Sequence, residues 1–309
     1  MVTAPELFKE AARAHGIEGV DFSEPGHSSV TVQGLTFHCV DWGGSGTPIL
    51  FLHGGNQTCR TWDMVCVQIR KQYRCYALDQ RNHGDTDKVP DFKIDPLIMA
   101  EDVRGVVRAL GLREFVLVGM SMGGLNTMAY ASKYPAELKA AVIVDVAPTV
   151  LQGGADQVTG QPSNSILQYQ EFLSMEDAVE KAVKFNPLRP TVHLHYSLIH
   201  ALTQRPDGMF VWKAQLRGTG GGQMKAEERQ EMHQRFEGLW GQVPKILCPT
   251  LVIHGEKSRV MNSELRDKLA RMLPKGEAVT IPGAGHTVQG DKPKEFVAEL
   301  TRFLTRVLP

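Results

Sequence analysis

The chain has 309 residues, with 34 basic and 34 acidic side chains and a formal net charge of zero. Its 42% hydrophobic and 22% charged fractions are those of a soluble globular protein, far from the disordered class. That balance offers no basic groove for nucleic acid and no polybasic face for an anionic membrane, and no apolar run approaches the ~18 residues of a bilayer span.

Met1 to Leu7 lack a basic n-region and an apolar h-region, so no signal peptide is expected. Cys39, Cys59, Cys66, Cys75 and Cys248 form no C-x-x-C pair; free thiols and a cytoplasmic setting are expected, without a thiolate zinc site. Nothing in the sequence sets the oligomeric state.

Residues 1–28 read as an irregular or partly helical lead-in. Strand character follows at 29–33 and 35–42, then in the buried run Pro48-Ile49-Leu50-Phe51-Leu52, which the loop His53-Gly54-Gly55-Asn56-Gln57-Thr58 terminates. A helix near 62–71 leads to a strand at 73–79 and the loop from Gln80 to Asp85. Ile98, Val103, Val106, Val107 and Leu110 fall at helical spacing. Further strands are expected at 114–118, 140–145, 249–254 and 277–281, and a final helix buries Phe296, Leu300, Phe303 and Leu304. Near-continuous apolar strands alternating with helices require a parallel sheet covered on both faces.

The alternation stops at Pro148 and resumes at Pro249. Residues 1–148 and 246–309 thus read as one α/β core, and 149–245 as a mostly helical cap. Helix-like segments lie at 165–172, 175–185 and 192–203. Gly218, Gly220, Gly221 and Gly222 read as a flexible joint, with no Lys-Ser/Thr after them to make a phosphate cradle.

The residues Gly119-Met120-Ser121-Met122-Gly123-Gly124 stand between a buried strand and a helix that ends before Pro135. A strand–turn–helix corner this sharp forces Ser121 into strained backbone and needs glycine at 119 and 123, where a Cβ would strike the neighbouring strand and helix. It exposes a hydroxyl at the sheet's end, beside a helix N-terminus that favours negative charge. A Gly-Ser turn that merely connects the elements is the plain alternative.

Taken together the motifs resemble the α/β-hydrolase superfamily from about residue 29 to the end. They are His53-Gly54-Gly55, Asp79-x-Arg81-x-His83-Gly84, Gly119-x-Ser121-x-Gly123-Gly124, Val144-Asp145-Val146-Ala147-Pro148, His254-Gly255-Glu256 and Gly283-x-Gly285-His286. The resemblance implies a mostly parallel eight-stranded sheet with helices on both faces and a helical cap. It implies Ser121 as nucleophile, His286 as base, and the N–H groups of Met122 and Gly55 as oxyanion donors, with Asn56 the alternative to Gly55. His53, His83 and His254 read as braces for glycine turns. No cofactor and no metal are expected.

The acid departs from the superfamily's commoner pattern. Where a Gly-Glu-x-Asp run is usual after the seventh strand, this chain has Gly255-Glu256-Lys257-Ser258, and a serine carries no charge with which to orient an imidazole. Some members place the acid after the sixth strand, where Asp145 stands; Glu256 is the alternative acid. The implied activity is hydrolysis of a carboxylic ester or lactone of a small to bulky hydrophobic molecule through an acyl-enzyme, with a macrolactone as a candidate substrate. A C–C hydrolase of the same fold and a non-catalytic ligand-binding protein are the competing readings. Met209, Phe210, Trp212, His193, His195 and His200 are candidates for the pocket wall or for the cap's own core.

Overall fold

Alternating side chains of the central strands serve two hydrophobic layers, and this organises the molecule. The computed structural model describes residues 3–90, 92–149, 166, 171–215 and 226–308. In β5 (Phe115–Met120), Val116 and Val118 face one layer, with Trp62, Val65, Phe296 and Leu300; Phe115 and Leu117 face the other, with Val103, Val106, Leu125 and Met128. Every residue of β5 is buried, as a strand covered on both faces must be.

The sheet has eight strands in the order β1-β2-β4-β3-β5-β6-β10-β11. Its members are β1 (Gly26–Val32), β2 (Leu35–Asp41), β3 (Pro48–Leu52), β4 (Arg74–Leu78), β5, β6 (Leu138–Val144), β10 (Thr250–Gly255) and β11 (Gly276–Ile281). Only β2 runs against its neighbours, pairing antiparallel with β1 and β4. The chain leaves β3 toward β4 on one side and leaves β5 toward β6 on the other. Between them lies the point where strand order reverses, and a crevice opens there outside the carboxyl ends of the strands.

The lead-in is more regular than the sequence suggests. Ala4–Ala14 is a helix opened by a capping box between Thr3 and Glu6. Its Phe8 stacks on Tyr196 at 5.2 Å between ring centroids, which ties the N-terminus to a helix inserted between β6 and β10.

That insertion contains the helices Met175–Phe185, Thr191–Ala201 and Ala226–Glu237. It also contains a small antiparallel sheet, β7 (Glu171–Phe172), β9 (Phe210–Trp212) and β8 (Leu202–Gln204), in the order β7-β9-β8. Strands of two or three residues are too short to show a period, so the expectation of helix through Phe172 and Thr203 fails at those residues. Most of 165–172, and all of 218–222, lie outside the described residues. The helix expected at 175–185 stands as Met175–Phe185. Phe172, Ala178, Ala182, Leu194, Leu198 and Leu202 form a core of the insertion's own.

A buried polar knot pins the insertion to the sheet layer. Tyr196 donates to Asp63 Oδ2 at 2.5 Å, Arg60 Nη2 donates to the Tyr196 hydroxyl at 2.7 Å, and Trp42 Nε1 donates to Asp63 Oδ1 at 3.2 Å. Arg60 Nε also lies 2.7 Å from Asp63 Oδ2. Burial still pushes the Asp63 carboxyl up to about 6. Tyr196→Phe keeps the ring and removes one donor from this knot. We expect it to lower unfolding free energy in urea by ~1–3 kcal/mol, the desolvation penalty of a buried acceptor left short of a partner.

Candidate active site

Ser121 stands between β5 and the Met122–Lys133 helix with φ 53° and ψ −118°, backbone that few non-glycine residues adopt. A Cβ on Gly119 would lie 2.1 Å from the Gly123 carbonyl oxygen, and one on Gly123 would lie 2.4 Å from the Leu52 carbonyl oxygen. Strand, helix and the end of β3 therefore approach more closely than a side chain permits. Ser121 N–H donates to Val144 O (2.9 Å) and Gly123 N–H to His53 O (3.2 Å), which fixes the corner between its two neighbouring strands.

Three loops bring polar side chains to this corner. Ser121 Oγ lies 3.0 Å from His286 Nε2, and His286 Nδ1 lies 2.8 Å from Asp145 Oδ2. Nδ1–H donates to the carboxylate, so Nε2 keeps the lone pair that accepts the serine proton. Asp145 follows β6 directly, is fully buried, and adopts φ 53°, a left-handed conformation that aspartate tolerates better than most residues. Its Oδ1 accepts from Gly255 N–H at 2.8 Å, and its Oδ2 accepts from the Ser258 hydroxyl as well as from His286. Glu256 is exposed and turned away, accepting from Gly283 N–H at 2.8 Å. The geometry brings Asp145, not Glu256, to His286.

Ser258 was legible in the sequence only as a residue unable to be the acid; in the fold it is a donor to the acid. Asp291 and Arg189 were missed altogether. Asp291 Oδ2 accepts from Gly285 N–H (3.0 Å), immediately before His286, and Arg189 donates to Asp291 Oδ1 (3.0 Å) from the insertion. Both side chains are buried, so the histidine loop is tied to the cap through one ion pair.

In the loop after β3, the N–H groups on either side of Gly55 are hydrogen-bonded within the protein. Gly54 N–H donates to Gln57 Oε1 (3.1 Å) and Asn56 N–H to His83 Nε2 (3.2 Å), which leaves Gly55 N–H. Met122 is the first residue of its helix, so its N–H has no intrahelical acceptor. Gly55, Ser121, Met122 and His286 line one cleft of about 60 Å³, closed by Ile94, Leu125, Val146 and Phe236.

His53 and His83 act as backbone bridges. His53 Nδ1–H donates to Gly54 O and its Nε2 accepts from Gln80 N–H; His83 Nδ1–H donates to Arg81 O and its Nε2 accepts from Asn56 N–H. Each ring is neutral and saturated. Burial, reinforced by His53 nearby, pushes His83 down to about 3. His254 spans Thr280 and Met261 O.

A second cleft of about 170 Å³ adjoins the first beside Gly55, Asn56 and Gln57, with Arg60 and Thr61 on the core side and Asn186, Arg189, Leu198 and Trp212 on the cap side. Of the cap candidates, Trp212 reaches this wall. Phe210 packs against the cap core, His193 bonds His15, His195 lies on a surface groove, His200 is edge-on to Tyr196, and Met209 sits in the β8–β9 turn.

A serine at a strained strand–helix corner, an imidazole and a buried carboxylate on one mostly parallel sheet define a fold class. The alpha/beta hydrolase fold profile matches residues 47–293, and the chain belongs to that family. Among its relatives, the esterase Rv0045c of Mycobacterium tuberculosis is 28% identical over 94% of this chain and 92% of that protein. A solved structure of that esterase superposes with a TM-score of 0.77 at 26% identity, covering 98% of this chain and 99% of the other. The sn-1-specific diacylglycerol lipase ABHD11 of Mus musculus is 27% identical over 87% of this chain and 85% of its own length. The 2-(acetamidomethylene)succinate hydrolase of Mesorhizobium japonicum is 25% identical over 84% of this chain and 89% of its own. These likenesses support a hydrolase. Among the described residues no helix is long and apolar enough to cross a membrane.

The neutral His83 has a consequence for stability. Its pKa is depressed in the fold, so below the unfolded value near 6.5 the unfolded chain takes up a proton that the native state refuses. Its contribution is complete above that value and is lost as pH falls toward 3, by up to ~1.4 kcal/mol per pH unit. Comparing urea unfolding of wild type and His83→Gln at pH 7, 6 and 5 should show a shallower decline in the variant.

Proposed function

We propose that the chain is a serine hydrolase of carboxylic esters, lactones included, and that Ser121, His286 and Asp145 carry the chemistry. The single observation behind this reading is the relay Ser121 Oγ–His286 Nε2 at 3.0 Å and His286 Nδ1–Asp145 Oδ2 at 2.8 Å. Ser121 Oγ attacks the acyl carbon while its proton passes to His286 Nε2. The carbonyl oxygen takes the electron pair and is held by Gly55 and Met122 N–H, each such donor being worth ~2.7–4 kcal/mol in the transition state. Collapse of the intermediate breaks the ester C–O bond, and the alkoxide leaves with the proton from His286. Water, deprotonated by the same ring, then releases the acid and regenerates Ser121. Asp145 holds the imidazole tautomer and stabilises its cation. The ester-hydrolysing relatives agree with this reading.

The two clefts suggest the shape of the substrate. Near Ser121 the space is small and walled by Ile94, Leu125, Val146 and Phe236, which suits a short apolar group. The larger and more polar cleft under Trp212 suits the other arm of the ester. A macrolactone, bulky on both sides of its scissile bond, fits the narrow side poorly.

A fluorophosphonate probe should label wild type and not Ser121→Ala, and Ser121→Ala should lose at least ~10³-fold in kcat on a p-nitrophenyl ester. Unlabelled wild type would return the non-catalytic binding reading. Asp145→Asn should reduce kcat by up to ~10⁴-fold through the wrong imidazole tautomer, whereas Glu256→Gln should leave it nearly unchanged. The reverse order of severity would transfer the acid to Glu256.

A further inference from the structure

The geometry points to a divalent transition-metal site on the outer edge of the sheet, formed by the imidazoles of His27 on β1 and His38 on β2. The antiparallel register pairs Ser29 with His38, so His27, two residues away, projects from the same face on the diagonal. The two rings stack at 5.1 Å between centroids with 22° between planes, and His27 Nδ1–H donates to His38 Nε2 at 2.8 Å, a bond that a bound ion replaces by displacing the proton between the two nitrogens to solvent. Two imidazole nitrogens bound to one ion at ~2.0–2.1 Å are separated by about 2.9–3.4 Å, so a small rotation of the exposed His27 admits the ion between them.

His38 is prepared for this on its other side. Its Nδ1–H donates to Asp79 Oδ2 at 2.8 Å, which fixes the tautomer and leaves the Nε2 lone pair directed at His27. Asp79 is held in place independently, accepting from Cys59 N–H (2.7 Å) and Asp85 N–H (3.0 Å). A buried carboxylate behind a ligating imidazole increases the ring's strength as a ligand. His38, Cys59 and Asp79 also offer donor atoms within 4.8 Å of one another on the inner side, but that seat is taken. The carboxylate oxygens and Nδ1 are engaged in hydrogen bonds, and burial pushes the Cys59 thiol well above its ordinary value, away from the thiolate a metal needs.

Two imidazole donors with water completing the shell select zinc, nickel or copper over magnesium or calcium. The site lies apart from the ester chemistry proposed for Ser121 and stands or falls without it. The cysteine spacing that excludes a thiolate zinc site has no bearing on this donor set.

The test is calorimetric titration of the tag-free full chain with zinc, nickel and magnesium chlorides. We expect one equivalent of zinc or nickel with micromolar affinity, and no heat with magnesium. His27→Ala, a change at an exposed residue, should weaken zinc binding at least about tenfold, while His195→Ala on the cap surface leaves it unchanged. Zinc should raise the thermal unfolding midpoint of wild type and not of His27→Ala, because the ion binds the native arrangement alone. Copper-loaded protein should show two nitrogen couplings by electron paramagnetic resonance, reduced in His27→Ala. Zinc affinity unaltered by His27→Ala, or no zinc binding well above micromolar concentrations, overturns the assignment.

Discussion

The arrangement at Ser121 and His286 depends on satisfying one fully buried carboxylate. Asp145 has no solvent exposure, and a carboxylate placed there without hydrogen-bond donors would carry an unrepaid desolvation penalty. It persists because its donors come from separate segments: Gly255 N–H at the end of β10, the Ser258 hydroxyl in the following loop, and His286 Nδ1 beyond β11. Its own N–H donates to Ile253 O of β10 at 2.7 Å, so the left-handed backbone at 145 is held as firmly as the side chain. The loop after β10 must offer the Asp145 carboxylate a neutral partner. Ser258 does this, being short, neutral and able to donate, and its oxygen in turn accepts from Val260 N–H at 3.1 Å.

The oxyanion loop is organised by a different principle, neutral hydrogen bonding rather than charge. His53 and His83 lie 4.8 Å apart between ring centroids, and charging either would put a cation in a dry site with its acceptor nitrogen lost. As neutral rings they bridge the loops after β3 and β4 through four main-chain bonds, leaving only Gly55 N–H unspent among residues 54–56. Gln80 carries the bracing farther, donating to His53 O at 2.6 Å and accepting from Asn126 of the helix that follows Ser121. The positions of the two candidate oxyanion donors are thereby linked through buried polar groups, of which Asn126 Oδ1 has no hydrogen-bond partner.

Much of this was legible in the sequence because long-range order followed from local patterns. The central strands were visible as continuous apolar runs, and Pro48–Leu52 appears in the fold with those bounds. The corner at Ser121 was legible because only glycine fits at 119 and 123. The cap was legible only in part: the helices expected at 175–185 and 192–203 stand as Met175–Phe185 and Thr191–Ala201, but its small sheet was not foreseen. Its strands of two or three residues carry no period, and the partners of Thr191–Ala201 lie far off in the chain: the cap core meets Leu194 and Leu198, Phe8 stacks on the Tyr196 ring, and Asp63 accepts from the Tyr196 hydroxyl. Arg189 and Asp291 were invisible because their contact joins residues 102 positions apart and neither belongs to a motif.

That last ion pair bears on how cap and chemistry communicate. Arg189 and Asp291 are each nearly sealed from water, so the pair is screened little and neither partner can leave without stranding the other's charge. Asp291 also holds Gly285, the residue before His286, while Arg189 stands in the wall of the larger cleft. A Cβ on Gly290 would come within 2.7 Å of the Arg189 guanidinium, so the backbone there yields space to this contact. Arg189 in the cleft wall and the loop that carries His286 are therefore joined through one carboxylate, Asp291. Removing Arg189 would leave the Asp291 carboxylate buried without its counterion, on the residue that holds Gly285 next to His286.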